Sequence, residues 1–252
     1  MSRMTLDNLV TGKILTPLRE VLYGVEGIGK TTHAASAPNP IFISAEDGSK
    51  HLDVQRFQPP ETYQDVLDAI GVLFNETHEF KTLVVDSVDW VETLILLSVA
   101  HDHGVTSVEG IGYGKGYVYA AEKFAQMLRG FDALASKGMN VILIGHAKVN
   151  KFNDPEHEPY DKYSLKLSPS IKARLTEWCD ALLFANYDTS VINVGTDKNP
   201  NVRAKSFNKR LLHTERRAAF DAKNRYGLPD RIPLNWDSFW QAYLTATGRN
   251  AD

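Results

Sequence analysis

The chain has 252 residues, 43% of them hydrophobic and 23% charged, the composition of an ordinary water-soluble globular protein. Its net charge of −3 excludes a global electrostatic pull toward nucleic acid or an anionic membrane, so any such binding has to come from a local patch. A single cysteine, Cys179, excludes an internal disulfide and points to a reducing, cytoplasmic compartment; no apolar run of membrane-spanning length and no signal-peptide core is present.

In chain order, residues 1–18 read as a polar lead-in closed by Pro17. The strand-like run Arg19-Glu20-Val21-Leu22-Tyr23 then enters Gly24-Val25-Glu26-Gly27-Ile28-Gly29-Lys30-Thr31, followed by Thr32 and a helix start. That octapeptide fits G-x-x-x-x-G-K-[ST], the phosphate-binding loop. Its glycines let backbone amides converge on an anion, Lys30 reaches the outer phosphates, and the Thr31 hydroxyl is a magnesium ligand. The breaker Ala37-Pro38-Asn39-Pro40 precedes a buried strand at 41–44, which ends in Ala45-Glu46-Asp47-Gly48. Helical spacing of Val66, Ala69, Ile70, Leu73 and Phe74 predicts a helix over 61–74. A β-branched strand, 82–86, closes on Asp86, and a helix follows over 88–101.

The Gly-rich segment 109–117 reads as irregular, 118–135 as helix, and 140–146 as a strand ending in His146. Residues 148–167 are polar and contain two prolines, so a long mobile loop is expected there. A short helix at 170–178, a strand at 181–186, alternating strand-like pieces and turns, and a closing helix at 235–247 complete the chain. Apolar strands alternating with helices predict an α/β domain with a mainly parallel sheet covered on both faces. We divide the single domain into the lead-in, a core over 19–230 and a C-terminal helix over 231–252.

The polar residues of interest fall at strand ends, where such sheets gather their ligands. Asp86 is placed to hold magnesium with Thr31, and Glu46 to orient or deprotonate water, with Asp47 as its rival. His146 is placed to sense the terminal phosphate. Lys30, Glu46 and His146 form the expected catalytic set. The pair His101 and His103 stands two residues apart, which a helix would not bring to one face. Segment 198–225 is rich in Lys and Arg, and Lys223 and Arg225 on a strand would point the same way.

At these residues the sequence resembles the RecA-type ATPases, and more narrowly the small phage-encoded RecA-core proteins associated with single-strand annealing. Phe42-Ile43-Ser44-Ala45-Glu46-Asp47 looks like the strand end carrying the family's catalytic glutamate, and Leu83-Val84-Val85-Asp86-Ser87-Val88 like its magnesium-binding strand. Lys223-Asn224-Arg225-Tyr226-Gly227 is similar to the element that reaches into a neighbouring subunit's site. Gly112-Tyr113-Gly114-Lys115-Gly116-Tyr117 resembles an element of the phage group.

The resemblance implies a core strand order 5-1-4-3-2 with a C-terminal β-rich extension. It implies ATP and Mg2+ as ligands, an oligomer with nucleotide between subunits, and a phage-infected or prophage-bearing bacterial host. Its implied partners are single-stranded DNA, held at 104–117 and 147–168, and a single-stranded-DNA-binding protein. Tyr113, Lys115 and Tyr117 offer stacking faces and a cation, and Lys148 and Lys151 further charge, but acids interleave in the second segment and predict salt-sensitive binding. Glutamine is the family's residue where His146 stands, and the family's flanking domains are not found here. A nucleotide-gated regulatory ATPase without a DNA role, and a small helicase or motor subunit, are the alternatives.

Overall fold

The computed structural model describes residues 9, 11, 12, 14, 16–44, 51–193 and 202–248, and of 189–193 and 202–208 the backbone alone. Short apolar runs form its strands. In chain order these are β1 (Arg19–Gly24), β2 (Pro40–Ser44), a two-residue β3 (Gln55–Arg56), β4 (Thr82–Asp86) and β5 (Asn140–Phe152). They continue with β6 (Tyr160–Leu165), β7 (Ala181–Asn193), β8 (Val202–His213), β9 (Lys223–Asn224) and β10 (Arg231–Pro233). The helices are α1 (Lys30–Ala35), α2 (Tyr63–Asn75), α3 (Val88–Asp102), α4 (Lys115–Ser136), α5 (Pro169–Trp178) and α6 (Trp236–Thr247).

Five strands lie side by side and parallel in the order β7-β1-β5-β4-β2. Counting only the strands expected from the sequence, this is 5-1-4-3-2. The whole sheet is longer than that core. β3 adds a parallel edge beside β2, while β8 and then β10 add antiparallel strands beyond β7.

Alternation along the central strands divides the core into two layers. Val21 and Tyr23 of β1, with Val85 and Leu143, face α2, α3, α4 and α5. Leu22, Val84, Ile142 and Leu183 face α1 and α6, where Trp236, Phe239 and Tyr243 pack. Helix ends carry their own signals. Thr62 and Asp65 form a reciprocal capping box at the start of α2, and Asn235 accepts from Ser238 N at the start of α6.

Two expectations are corrected. The segment 148–167 is an antiparallel hairpin in which β5 runs on to Phe152 and pairs with β6, rather than a mobile loop. Several of its polar side chains find partners in this arrangement. Lys162 is 5% exposed because its ammonium meets Asp221 Oδ1 at 2.6 Å, and Ser164 accepts from Asn150. The Gly-rich segment is also more regular than expected. Two single 3₁₀ turns at 108–110 and 112–114 lead directly into α4, so Lys115, Gly116 and Tyr117 are helical. Val108 explains why Gly116 tolerates no side chain, since a β-carbon there would lie 2.6 Å from the Val108 carbonyl oxygen.

Candidate functional site

The loop after β1 is shaped by contacts on both sides. Gly24 pairs with Ala185 of β7, and a β-carbon at 24 would lie 2.2 Å from the Ala185 carbonyl oxygen, so only glycine allows the strand to run this close. Ile28 is fully buried and anchors the loop to the core, while Val25 packs at its border. Gly29 adopts φ 108°, which an L side chain rarely takes, and starts α1. Lys30 is 7% exposed, and its ammonium donates to the carbonyls of Gly24 and Val25 at 3.2 and 3.1 Å. Thr31 Oγ1 donates to Asp86 Oδ2 at 2.7 Å, tying the first turn of α1 to the end of β4.

This pair sits in a cleft of about 970 Å³ along the carboxyl ends of the strands. Glu26, Gly27, Gly29, Lys30, Thr31, Thr32, Asp86 and His146 all line it, so the structure gathers most of the expected nucleotide-site residues in one place. Tyr117 and Lys148 line it as well. Glu46 and Asp47 lie outside the described residues.

A half-buried partner from outside the expected set completes this corner. Asp89, in the first turn of α3, holds His146 from two directions. Its Oδ1 accepts from the His146 backbone amide at 3.1 Å, and its carboxylate lies 3.0 and 3.2 Å from Nδ1. Burial pushes the Asp89 carboxyl up, but the hydrogen bonds and charge of His146 outweigh it and hold the group below the usual carboxylate range. A weak signal was available, because Asp89 follows Asp86 by three residues and a helix starting at 88 presents its first turn to the strand ends. On the same helix, buried Glu92 accepts from the backbone amide of Ser168 at 2.9 and 3.2 Å, fixing the start of α5 against the cleft.

The residues expected to face DNA are divided between the cleft and the surface beyond it. Tyr113 is fully exposed at φ 60°, and Lys115 and Lys151 are exposed outside the cleft. Tyr117 donates its hydroxyl to Glu109 at 2.7 Å, and Lys148 donates to the Leu167 carbonyl at 3.1 Å. The Glu109 carboxyl is lowered to about 2 by hydrogen bonds from Ser107, Tyr117 and its own amide.

Lys223 and Arg225 lie at a different cleft, beside the C-terminal end of α5. The Lys223 ammonium donates to the carbonyls of Thr176, Cys179 and Glu177 at 2.5, 2.7 and 3.1 Å, closing a helix end that otherwise leaves acceptors unpaired. Burial lowers its pKa. Arg225 pairs with Asp180 at 3.1 Å while 53% of its side chain stays exposed. Among the described residues no group of three or more His, Cys, Asp or Glu side chains is arranged to hold a metal. Among the described residues no helix is long and apolar enough to cross a membrane.

A parallel α/β sheet carrying this loop, with its lysine turned into the loop and its threonine joined to a carboxylate from a neighbouring strand, defines a P-loop nucleoside triphosphatase core. A family model described as an AAA domain matches residues 16–226, and the chain belongs to that family, a family of P-loop ATPase domains. No curated protein matches the chain. Among solved structures, the crystal structure of the RadB recombinase is similar over 88% of this chain and 90% of its own, at 14% identity and a TM-score of 0.46.

Proposed function

We propose that this protein is a magnesium-dependent ATPase of RecA type that binds single-stranded DNA and promotes recombination or annealing of the phage kind. The observation that carries the ATPase reading is the 2.7 Å bond between Thr31 and Asp86 beside the inturned Lys30. A hydroxyl and a carboxylate are the hard oxygen donors magnesium takes, and they stand beside a loop whose amides suit phosphate. Thr31 and Asp86 would hold the ion, which would supply positive charge against the phosphates. In this reading Gly24 through Thr32 cradle the phosphates, Lys30 neutralises the terminal group, and Thr31 and Asp86 hold the ion. Glu46 directs water, and His146 senses the terminal phosphate in an orientation set by Asp89.

The DNA part of the reading is supported by the resemblance and by Tyr113, Lys115 and Lys151, exposed beyond the cleft. Self-association, with Arg225 reaching a neighbour's nucleotide, is supported by the exposed half of that side chain. Turnover in this scheme is slow until DNA and a neighbour complete the site, because a cation supplied from a second subunit is worth about a thousandfold or more.

A second reading, an ATP-gated regulator without a DNA role, is favoured by two observations. The 148–167 segment is a paired hairpin, and Lys223 is already engaged within its own chain. Fluorescence polarisation with a labelled oligonucleotide, with and without ATP and magnesium, decides between them. Binding at low salt that responds to nucleotide is expected, and its absence in every nucleotide state would leave the regulator.

A further inference from the structure

The phosphate loop is flanked by strands on two sides. It stands at the end of β1, between β5 on one side and β7 on the other. Asp86 lies on β4, beyond β5, so the metal end of a bound phosphate chain belongs to that side. The other end of the chain then leaves toward β7 and β8.

Those two strands continue past the loop as an antiparallel ribbon, and their alternation can be followed up one face. Leu183 and Ala185 of β7, with Leu212 of β8, are buried in the layer that holds α1. Two residues further along each strand, the same face presents Tyr187 and Arg210, which are direct cross-strand partners. Tyr187 is half-buried and packs at the border of that layer, as Val25 of the loop does. Arg210 reaches the loop itself, since a β-carbon at Gly29 would lie 3.1 Å from its Nη1.

The charge balance is what makes this pair informative. The Arg210 side chain makes no ion pair or hydrogen bond among the described residues. Yet it stands against a loop that already carries buried Lys30 and whose amides suit an anion. Arg210 is thus a second cation beside the loop, with no acid assigned to it among the described residues, and an anion held by the loop would be attracted by it. A guanidinium also offers two parallel donors, which suit phosphate oxygens.

We propose that Arg210 is a second phosphate-binding cation, supplied by the same chain, and that Tyr187 beside it receives the nucleoside of the bound triphosphate. The inference rests on the nucleotide reading of the loop. It assigns a role to the β7–β8 ribbon that no motif in the sequence carries. Arg210 contacts the part of the phosphate chain nearer the nucleoside, and Tyr187 offers its ring to the base.

Calorimetric titration of ATP and of inorganic tripolyphosphate tests both halves, using wild type and the variants R210A, R210Q, Y187A and K30A. Arg210 is exposed, so R210A is expected to keep the wild-type melting midpoint; R210Q keeps the stem and is measured beside it so that a folding defect does not decide the result. R210A and R210Q should weaken ATP and tripolyphosphate alike, by about tenfold or more. Y187A should weaken ATP by about fivefold or more and leave tripolyphosphate unchanged. If K30A loses ATP while both Arg210 variants bind it within about twofold of wild type, the arginine assignment is wrong and the loop reading survives. Equal loss of both ligands in Y187A would overturn the nucleoside assignment. Should wild type itself bind neither ligand, the nucleotide reading fails and this inference ends with it.

Discussion

Replacing Gly24 with alanine tests how the phosphate loop is held against the sheet. The new β-carbon would lie 2.2 Å from the carbonyl oxygen of Ala185 and 3.0 Å from its carbonyl carbon and Cβ. Two of those atoms are backbone, so no change of rotamer relieves the clash. Carbon and oxygen need rather more than 3 Å, so β1 and β7 must part by about 1 Å at the point where Gly24 pairs with Ala185. Overpacking of this kind costs about 1–3 kcal/mol, and a weakened ladder hydrogen bond adds about 1. For a domain of this size the sum lowers the melting midpoint by about 5–15 °C. The loop begins at the displaced residue, so ATP binding should weaken by about tenfold or more at the same time. Gly27→Ala is the control for the stability measurement alone, because Gly27 has φ 68° but open space around it and should cost only backbone strain of about 1–2 kcal/mol. Thermal melts of the two variants and ATP titration of G24A give the answer. A G24A protein that melts within about 1 °C of wild type and binds ATP normally would refute the argument from close approach.

The other predictions concern single groups. Lys30→Ala should abolish ATP binding or turnover while the fold persists; normal turnover would remove the phosphate-loop assignment. Glu46→Gln should retain ATP binding and lose hydrolysis, whereas the same phenotype in Asp47→Asn alone would transfer the water-directing role to Asp47. Asp89→Asn should destabilise the protein by about 1.5–3 kcal/mol near neutrality, the worth of hydrogen bonds to a charged group. Because the folded Asp89 carboxyl is held below its ordinary value of about 3.9, its contribution is complete above that pH and is lost as pH falls through the folded value. Denaturant melts over a pH series should therefore show the gap between wild type and D89N closing in acid, and a constant gap would separate the carboxylate's charge from its effect. Arg225→Ala subunits mixed with Lys30→Ala subunits should regain ATPase activity if Arg225 acts across an interface; no recovery at any mixing ratio would confine it to its bond with Asp180.

Much of the fold and half of the site could be read along the chain because their signals are local. The phosphate loop is eight consecutive residues whose glycines, lysine and threonine act within one turn of backbone. The strands read at 19–23, 82–86 and 140–146 announce themselves as apolar runs and the helix read over 61–74 by its apolar spacing, while the capping pair Thr62 and Asp65 that starts it at Tyr63 came from the structure. Asp86 could be assigned because it ends an apolar strand behind that loop. What tertiary structure alone decided are the partnerships between distant residues. Asp89 and His146 are 57 residues apart and meet only because α3 starts beside the end of β5. Polar 148–167 reads as a loop until Asp221 arrives to neutralise buried Lys162. Lys223 reads as a free cation until the unpaired carbonyls at the end of α5 are placed against it. Arg210 is one of several cations in a basic tail until the β7–β8 register turns it toward Gly29. A charge has no meaning for function until its counter-charge is known, and in this protein the counter-charges come from elsewhere in the fold.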